Sequence, residues 1–272
     1  MFAGDSAAGT FSSRSVRSPF DGYKVLAWKH VVTIIMGCGK STSSSAKEPG
    51  APTQTVSRPS AGPVTFHYFN CYLRGEVVRM LFAHLSLKFT DDRINPPDWG
   101  RLKMSGKYEF QQLPMLEIDG RCLVQKMAML RYVSQKNNLY PAKNNIKDIY
   151  WVESVCDWVN DFTNPLYSLF FLKNMAGVAD HYNTKGPFFL QTLEKRLSRN
   201  NGGKGFFVGA SCSLADVVAF NMLWDCYCRP EMRAMHEAEL TPYPCLKAFP
   251  ERMMAQSAGL RSYVQSRVSS QV

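Results

Sequence analysis

The segment VTFHYF at residues 64–69 is the first stretch of this chain with the composition of a buried β-strand. β-Branched and aromatic residues dominate it, and such residues fit the pleated, half-buried surface of a sheet. The next apolar residues are Val77, Val78, Leu81, Phe82 and Leu85. Their near-helical spacing places them on one helix face, which can cover a sheet. The pattern therefore predicts a strand followed by a packed helix.

Further strand signals continue as far as residue 123. Residues 88–94 form a second short strand, and the proline-rich residues 96–99 predict a loop. Residues 113–123 contain two apolar runs around Asp119-Gly120, a dipeptide that favours the tight turn of a β-hairpin. Residues 125–135 again have helical periodicity. This order, βαβ, loop, ββ and α, predicts a small α/β sheet domain.

The character of the chain changes after Tyr140-Pro141, where strand signals stop and long helical patterns begin. Ser213 and Asp216 have the spacing of a capping box, in which each side chain bonds the backbone N–H of the other residue. The sequence thus predicts an α/β domain at residues 63–140 and an all-α domain at residues 141–272. Residues 1–62, rich in Ser, Gly, Ala and Pro, predict a disordered tail.

Charge and composition exclude several classes of protein. The formal net charge is +10, but residues 1–62 hold seven Lys or Arg against three acids, which leaves +6 on the remainder. No nucleic-acid-binding motif accompanies this surplus, so we expect solvated surface charge and no nucleic-acid partner. The apolar residues 23–38 are interrupted by Lys24, Lys29 and His30, and are too short and too charged to span a bilayer.

The eight cysteines suggest a reducing compartment, because no secretory signal or disulfide-dense pattern accompanies them. Cys226 and Cys228 lack the partners of a four-ligand metal site, and the five histidines show no metal or triad spacing. We therefore expect no metal. Residues 37–42 resemble the end of a P-loop, but Ile34 stands where its first glycine belongs.

Several motifs together resemble the sigma class of glutathione transferases, over about three quarters of the chain. Residues 68–79 follow that class's pattern Tyr-Phe-Asn-x-x-x-Arg-Ala-Glu-x-x-Arg, except that Gly75 replaces the alanine. Asp98-Trp99, Lys103, Gln112-Leu113-Pro114 and Gln125 follow in the family's order. The resemblance implies a thioredoxin-like domain that binds glutathione, followed by a helical domain.

The resemblance also implies a role for each matching residue. Tyr68 would donate a hydrogen bond to the glutathione thiolate, and Arg74 would add positive potential. An ordinary thiol pKa near 8.5 must fall by roughly 2 units for reaction at pH 7, which one bond to the anion nearly supplies. Cys71 lies three residues after Tyr68, but it lacks the following proline of cysteine-dependent transferases, so we expect a packed thiol.

The remaining implied residues bind the peptide part of glutathione. They are Trp99 and Lys103 at the glycyl end, Gln112 and Gln125 along the peptide, Leu113 with a cis Pro114 at its backbone, and Asp161 from the second subunit of a homodimer. Lys126 departs from the family's Ser or Thr at the helix that receives the γ-glutamyl carboxylate. It can supply a charge to that carboxylate, or it can point into solvent and leave a weaker site.

The sequence says less about the substrate and about the location of the protein in the cell. A small hydrophobic electrophile would meet a pocket drawn from Phe162, Tyr167, Phe170, Phe171, Trp224 and Tyr227. Conjugation, isomerisation and peroxide reduction all remain open, as does a catalytically weak binding or assembly module. We expect a cytoplasmic protein. Membrane association requires translation from Met36, which would expose Gly37 for myristoylation beside Cys38 for palmitoylation.

Overall fold

The computed structural model describes residues 62–267. The predicted tail, apart from Gly62, therefore lies outside the described residues, as do the acylation candidates Gly37 and Cys38 and the P-loop-like segment. In chain order the elements are β1 (Thr65–Phe69), α1 (Leu73–His84), β2 (Thr90–Ile94), α2 (Pro96–Lys103), β3 (Met115–Ile118), β4 (Arg121–Val124), α3 (Lys126–Lys136), α4 (Ile146–Phe171), α5 (Met175–Ser198), α6 (Leu214–Leu223), α7 (Pro230–Leu240), α8 (Pro244–Gln256) and α9 (Ala258–Ser266).

The four strands form one mixed sheet in the order β2-β1-β3-β4, with β1 parallel to β2 and antiparallel to β3. β3 and β4 form the predicted hairpin, and both turn residues have positive φ, 53° at Asp119 and 70° at Gly120. Positive φ at both positions is the requirement of a type I′ turn. The expected α/β domain followed by helices is confirmed.

The proline-rich loop predicted at residues 96–99 is wrong, because these residues begin helix α2. Pro96 and Pro97 occupy its first two positions, where the missing N–H groups would have no intrahelical partner in any case. The helix carries Trp99 to the face of the sheet that also holds Ile94 and Met115. The correction matters because a regular element, and not a loop, positions Trp99.

Successive residues of β1 face opposite sides of the sheet, and this alternation sets the direction of Tyr68. Phe66 and Tyr68 join the main core with α1 and α3, whereas Phe69 packs towards α2. The main core continues into the helical part of the chain, where α6 is buried throughout and packs against α1 and α4. Tyr68 therefore lies between the sheet and the helices.

A buried network of charges ties α1 to the last described residues. Glu76 is fully buried and accepts hydrogen bonds from Arg267 at 2.6 Å, Tyr263 at 2.8 Å and Arg79 at 3.3 Å. Arg267 also donates to Asp225 at 2.6 Å. Burial opposes ionisation of Glu76, but Arg267 and Arg79 hold its pKa below the ordinary value. The network fixes α1, which carries Arg74 and Gly75.

Among the residues that the structure describes, no helix has both the length and the apolar character needed to cross a membrane.

Candidate active site

An open cavity of about 670 Å³ lies between the sheet and helix α4. Most of the residues predicted to bind glutathione line it: Tyr68, Arg74, Trp99, Gln112, Leu113, Pro114, Gln125 and Lys126. They come from β1, three helices, the segment before β3 and the residue between β4 and α3, so the fold assembles them from separate parts of the chain. Such convergence of polar groups on one cavity is typical of a ligand site.

Tyr68 lies at the wall of this cavity, but its side chain is almost fully buried, with 1% of its surface exposed. The hydroxyl oxygen is buried, close to the Arg74 backbone and to the Cys71 side chain. The ring stacks near Phe66, with centroids 6.4 Å apart, and the guanidinium of Arg79 lies 5.8 Å from its centroid. Burial raises the pKa of Tyr68 far above its ordinary value, so the phenol is protonated at neutral pH and can donate.

Arg74 connects the first turn of α1 to helix α4. Its guanidinium donates to the Ser168 hydroxyl at 3.3 Å and lies 5.9 Å from the ring centroid of Tyr167 and 5.7 Å from that of Phe171. These contacts are consistent with a cation held at the cavity wall by aromatic faces. The positive charge also lowers the pKa of Tyr68, although burial outweighs it. Arg74 is thus placed to contribute positive potential to the cavity.

Lys126 is the first residue of α3, and its ammonium group donates to the Asn160 side-chain oxygen at 2.6 Å. It therefore turns towards the cavity wall and not into solvent. Burial lowers the pKa of Lys126 to about 8, and the nearby Arg74 charge acts in the same direction. Within residues 62–267 Lys126 forms no ion pair with a carboxylate, and a cation at a helix N-terminus, where backbone N–H groups are also available, favours a carboxylate ligand.

The segment before β3 forms the edge of the cavity. The Leu113-Pro114 bond is cis, as the resemblance implies. Pairing within β3 begins at Met115, so the Leu113 backbone lies just beyond the paired part of the strand. The Gln125 side-chain amide donates to Gln112 at 3.2 Å. Gln125 has a φ of 71°, a left-handed conformation that a non-glycine residue adopts at a cost, and such residues often occur at functional sites.

Two predicted residues do not line the cavity. Lys103 is an exposed residue at the end of α2, one turn beyond Trp99. Asp161 is exposed on α4, whereas its neighbour Asn160 lines the cavity. Sequence analysis missed Asn160 and Asn164 as cavity residues. Their four-residue spacing places them on one helix face, and this was the only signal available.

The predicted electrophile pocket is only partly assembled. Phe171 lines the main cavity, and Tyr167 and Phe170 line a second cavity of only about 30 Å³. Phe162 is instead a core residue that stacks on Phe189, with centroids 4.2 Å apart. Tyr227 is likewise core, and Trp224 lies at separate surface cavities. Five of these six aromatics are buried core residues, and only Phe171 is exposed, so their helical spacing mainly reflects packing in the core.

Cys71, Cys226 and Cys228 are packed thiols. Burial raises the pKa of Cys71 to about 11, which leaves little thiolate at neutral pH. Burial likewise raises the pKa values of Cys226 and Cys228 to about 12. Within residues 62–267, no cluster of three or more His, Cys, Asp or Glu side chains is arranged to hold a metal ion.

Comparison with known proteins identifies the family. The model of the glutathione S-transferase N-terminal domain matches residues 64–135, and that of the C-terminal domain matches residues 160–267. The chain belongs to the glutathione S-transferase family. It is a thioredoxin-like domain joined to a helical domain, and it is a glutathione transferase with glutathione as its co-substrate.

Similar proteins carry more than one name within this family. S-crystallin 4 of Enteroctopus dofleini is 31% identical over 75% of this chain and 96% of its own length. Glutathione S-transferase P 1 of Xenopus laevis is 31% identical over 70% of this chain and 86% of its own length. The structure of the Onchocerca volvulus Pi-class glutathione S-transferase superimposes with a TM-score of 0.64 at 26% identity, covering 76% and 94% of the two chains. The sigma-class assignment stays a prediction.

Proposed function

We propose that this glutathione transferase binds glutathione in the 670 Å³ cavity and conjugates its thiolate to small hydrophobic electrophiles. The observation that carries the proposal is the convergence of Tyr68, Arg74 and Lys126 with the cis Leu113-Pro114 edge on one cavity. Glutathione is a peptide with two carboxylates and one thiol. Its recognition needs cations, a backbone edge and a donor to sulfur, and the cavity offers all three.

The ends of the cavity suggest an orientation for the peptide. Lys126 and the N-terminus of α3 are suited to the γ-glutamyl carboxylate, because both supply donors and positive charge. Trp99 lines the side of the cavity next to α2 and is assigned to the glycyl end. Lys103, on the same helix, would contact that end only by extending its side chain. Gln112 and Gln125 are assigned to the peptide between them.

In the proposed reaction Tyr68 donates a hydrogen bond to the sulfur anion of glutathione. The raised pKa of the phenol keeps it protonated, so it acts as a donor and not as a base. A bond to an anion contributes roughly 1.5–3 kcal/mol, enough to lower a thiol pKa by about 1–2 units. The thiolate then attacks the electrophilic carbon, a carbon–sulfur bond forms, and the leaving group departs with the bonding electrons.

A binding or assembly role is the second candidate function. The observation that favours it is the small size of the cavity next to Tyr167 and Phe170, about 30 Å³, which leaves little room for an electrophile there. The similarity to S-crystallin 4 is compatible with either role. Under this alternative the chain binds glutathione but turns over electrophiles slowly.

We further propose a cytoplasmic homodimer in which Asp161 completes the partner's glutathione site. Support comes from an open groove of about 640 Å³ on the side of α4 that carries Trp151 and Trp158. Phe188, which is 63% exposed, also lines this groove. Exposed apolar surface of this kind is typical of an interface. Asp161 lies three residues after Trp158, on the same side of the helix.

The test of the proposed function is the rate of conjugation with an activated chloronitrobenzene in wild type and in Tyr68→Phe. We expect turnover at pH 6.5 to fall by about 10- to 100-fold in the variant, since the thiolate fraction falls with the lost donor. The difference should narrow above pH 9, where free thiol ionises unaided. Tyr150→Phe, at an exposed residue, is the control. Equal pH–rate profiles for wild type and Tyr68→Phe would remove Tyr68 from the mechanism.

A further inference from the structure

Gly75 lies directly against the ring of Tyr68. A β-carbon built on Gly75 would lie 2.2 Å from Cδ1, 2.5 Å from Cγ and 2.9 Å from Cε1 of Tyr68. Carbon atoms pack at about 3.5–4.0 Å. The aromatic ring therefore occupies the volume that any other residue at position 75 would fill with its first side-chain carbon.

The position of the ring places its hydroxyl group in the interior of the protein. The ring packs among Phe66, Arg79 and the backbone of α1, and the hydroxyl oxygen is buried. Burying a phenol hydroxyl away from water costs free energy, which the packing of the ring must offset. The close packing of the ring on Gly75 is the contact that does so. This arrangement exists only because position 75 has no side chain.

We propose that Gly75 is a positioning residue that lets Tyr68 rest in a withdrawn position, from which its ring must move towards the cavity before the hydroxyl can reach the glutathione sulfur. The inference rests on the proposed function of Tyr68 as the donor to that sulfur. It adds that the resting enzyme holds this donor away from the cavity, and that residue 75 sets the balance between the two positions.

The direction in which the ring can move is set by its surroundings. A methyl group at position 75 would require the ring edge to shift by roughly 1.3–1.8 Å to restore ordinary carbon contacts. Phe66 and Arg79 border the ring on the core side, and Arg79 is fixed by Asp91 and by backbone carbonyls. The cavity wall is the open side. Gly75→Ala should therefore move the hydroxyl towards the cavity.

The first experiment measures the thiol pKa of bound glutathione from its ultraviolet thiolate absorbance, in the absence of an electrophile. We expect Gly75→Ala to lower this pKa by about one unit relative to wild type, about a tenfold larger thiolate fraction at pH 6.5. Gly100→Ala is the matched control, because it also replaces a helical glycine but its new β-carbon meets no atom within 4 Å. The control should leave the thiol pKa unchanged.

A second measurement needs neither glutathione nor turnover. Tetranitromethane nitrates exposed phenols, and peptide mass mapping gives the rate at Tyr68 alone. We expect Tyr68 to be protected in wild type and to react several-fold faster in Gly75→Ala. Equal protection in both proteins, together with an unchanged thiol pKa, would overturn the inference. If Gly75→Ala changes both the thiol pKa and the nitration rate, but the enzyme conjugates no electrophile, the proposed function is rejected and the inference stands.

The effect must also act through Tyr68. In a Tyr68→Phe background, Gly75→Ala should leave the glutathione thiol pKa unchanged, and a persisting shift would contradict the inference. Should Gly75→Ala fail to fold, the double variant Gly75→Ala/Tyr68→Ala decides, because truncation of the ring removes the clash. Recovery of a cooperative thermal transition in the double variant supports the inference, and continued misfolding overturns it.

Discussion

Lys126, at the position where the family has Ser or Thr, places a charged donor where a neutral one is usual. A hydroxyl at the start of α3 would offer one neutral donor, whereas Lys126 brings a charge that the protein has partly removed from water. Its bond to Asn160 supplies one acceptor for three donors. Two of its donors remain for a ligand. The lowered pKa makes the charge of this lysine depend on pH near neutrality.

This titration leads to a prediction for ligand affinity. Lys126 is protonated below its pKa of about 8 and loses its charge as the pH rises through that value. If it binds the γ-glutamyl carboxylate, affinity for S-methylglutathione should be highest below pH 8 and fall by up to about tenfold by pH 9.5. The S-methyl group removes titration of the thiol, and isothermal calorimetry gives the affinity.

Two variants separate this effect from titration of the ligand itself. Lys126→Arg keeps its charge and should lose less affinity than wild type above pH 8. Lys126→Ser should bind more weakly at low pH and show a flatter salt dependence, because it lacks the cation. Parallel pH curves for wild type and Lys126→Arg would show that Lys126 does not contact the carboxylate.

At the residue level, the sequence predicted those candidate site residues that lie in short motifs. Tyr68, Trp99 and Pro114 lie in patterns of a few residues, and the structure places all three at the cavity. The contact between Lys126 and Asn160 joins residues 34 positions apart, and no local pattern reports it. The space shared by Gly75 and Tyr68 was also invisible, because it depends on how β1 and α1 meet in three dimensions.

Among the elements, helix α6 shows how a sequence signal becomes a structural constraint. The capping box predicted at Ser213 and Asp216 is present. The Asp216 carboxylate accepts bonds from the Ser213 N–H at 2.9 Å, the Ser213 hydroxyl at 2.7 Å and the Phe207 N–H at 2.8 Å. One buried side chain therefore holds both the start of α6 and the segment that precedes it.

We expect Asp216→Ala to destabilise the protein by about 2–3 kcal/mol, since it leaves the buried Ser213 and Phe207 N–H groups without an acceptor. Urea unfolding followed by circular dichroism measures the change. Asn145→Ala removes an exposed cap at the start of α4 and should cost only about 0.5–1 kcal/mol. If the two variants lose similar amounts of free energy of unfolding, burial of the capping box does not increase its contribution to stability.

Helix α2 shows where element prediction failed. The two prolines favour a loop on sequence grounds, yet a helix accepts proline in its first turn. Asp98 in the first turn and Arg101 and Lys103 in the last suit the helix dipole, a signal that the prolines obscured. The strands and the longer helices were easier to predict, because their apolar periodicity extends over more residues.

On the scale of the whole molecule, the buried charge network joins the beginning and end of the described chain. Arg267 bonds both Glu76 on α1 and Asp225, which follows α6, and it lies 4.2 Å from the ring centroid of Tyr72. A second link runs from the Ser257 hydroxyl to the His84 carbonyl. These contacts couple the sheet domain to the last helix, so we expect a single cooperative unfolding transition.

Arg267→Ala should destabilise the protein by about 3–5 kcal/mol, because it removes the ion pair that two buried carboxylates, Glu76 and Asp225, share with Arg267. Arg233→Ala breaks an exposed pair with Glu251 and should cost about 0–1 kcal/mol. Urea unfolding at pH 7 compares them. An equal, small cost for both would show that the network contributes nothing to stability beyond an ordinary surface ion pair.

The same network limits how far the protein can fold while it is being synthesised. The ribosome produces β1 and α1 early and residue 267 last among the described residues. Until Arg267 leaves the ribosome, Arg79 is the cationic partner that Glu76 has within the network, and α1 lacks its link to the segment after α6. Helix α1 therefore gains this contact only after residue 267 has been synthesised, so the sheet domain cannot complete its packing before the helices that follow it.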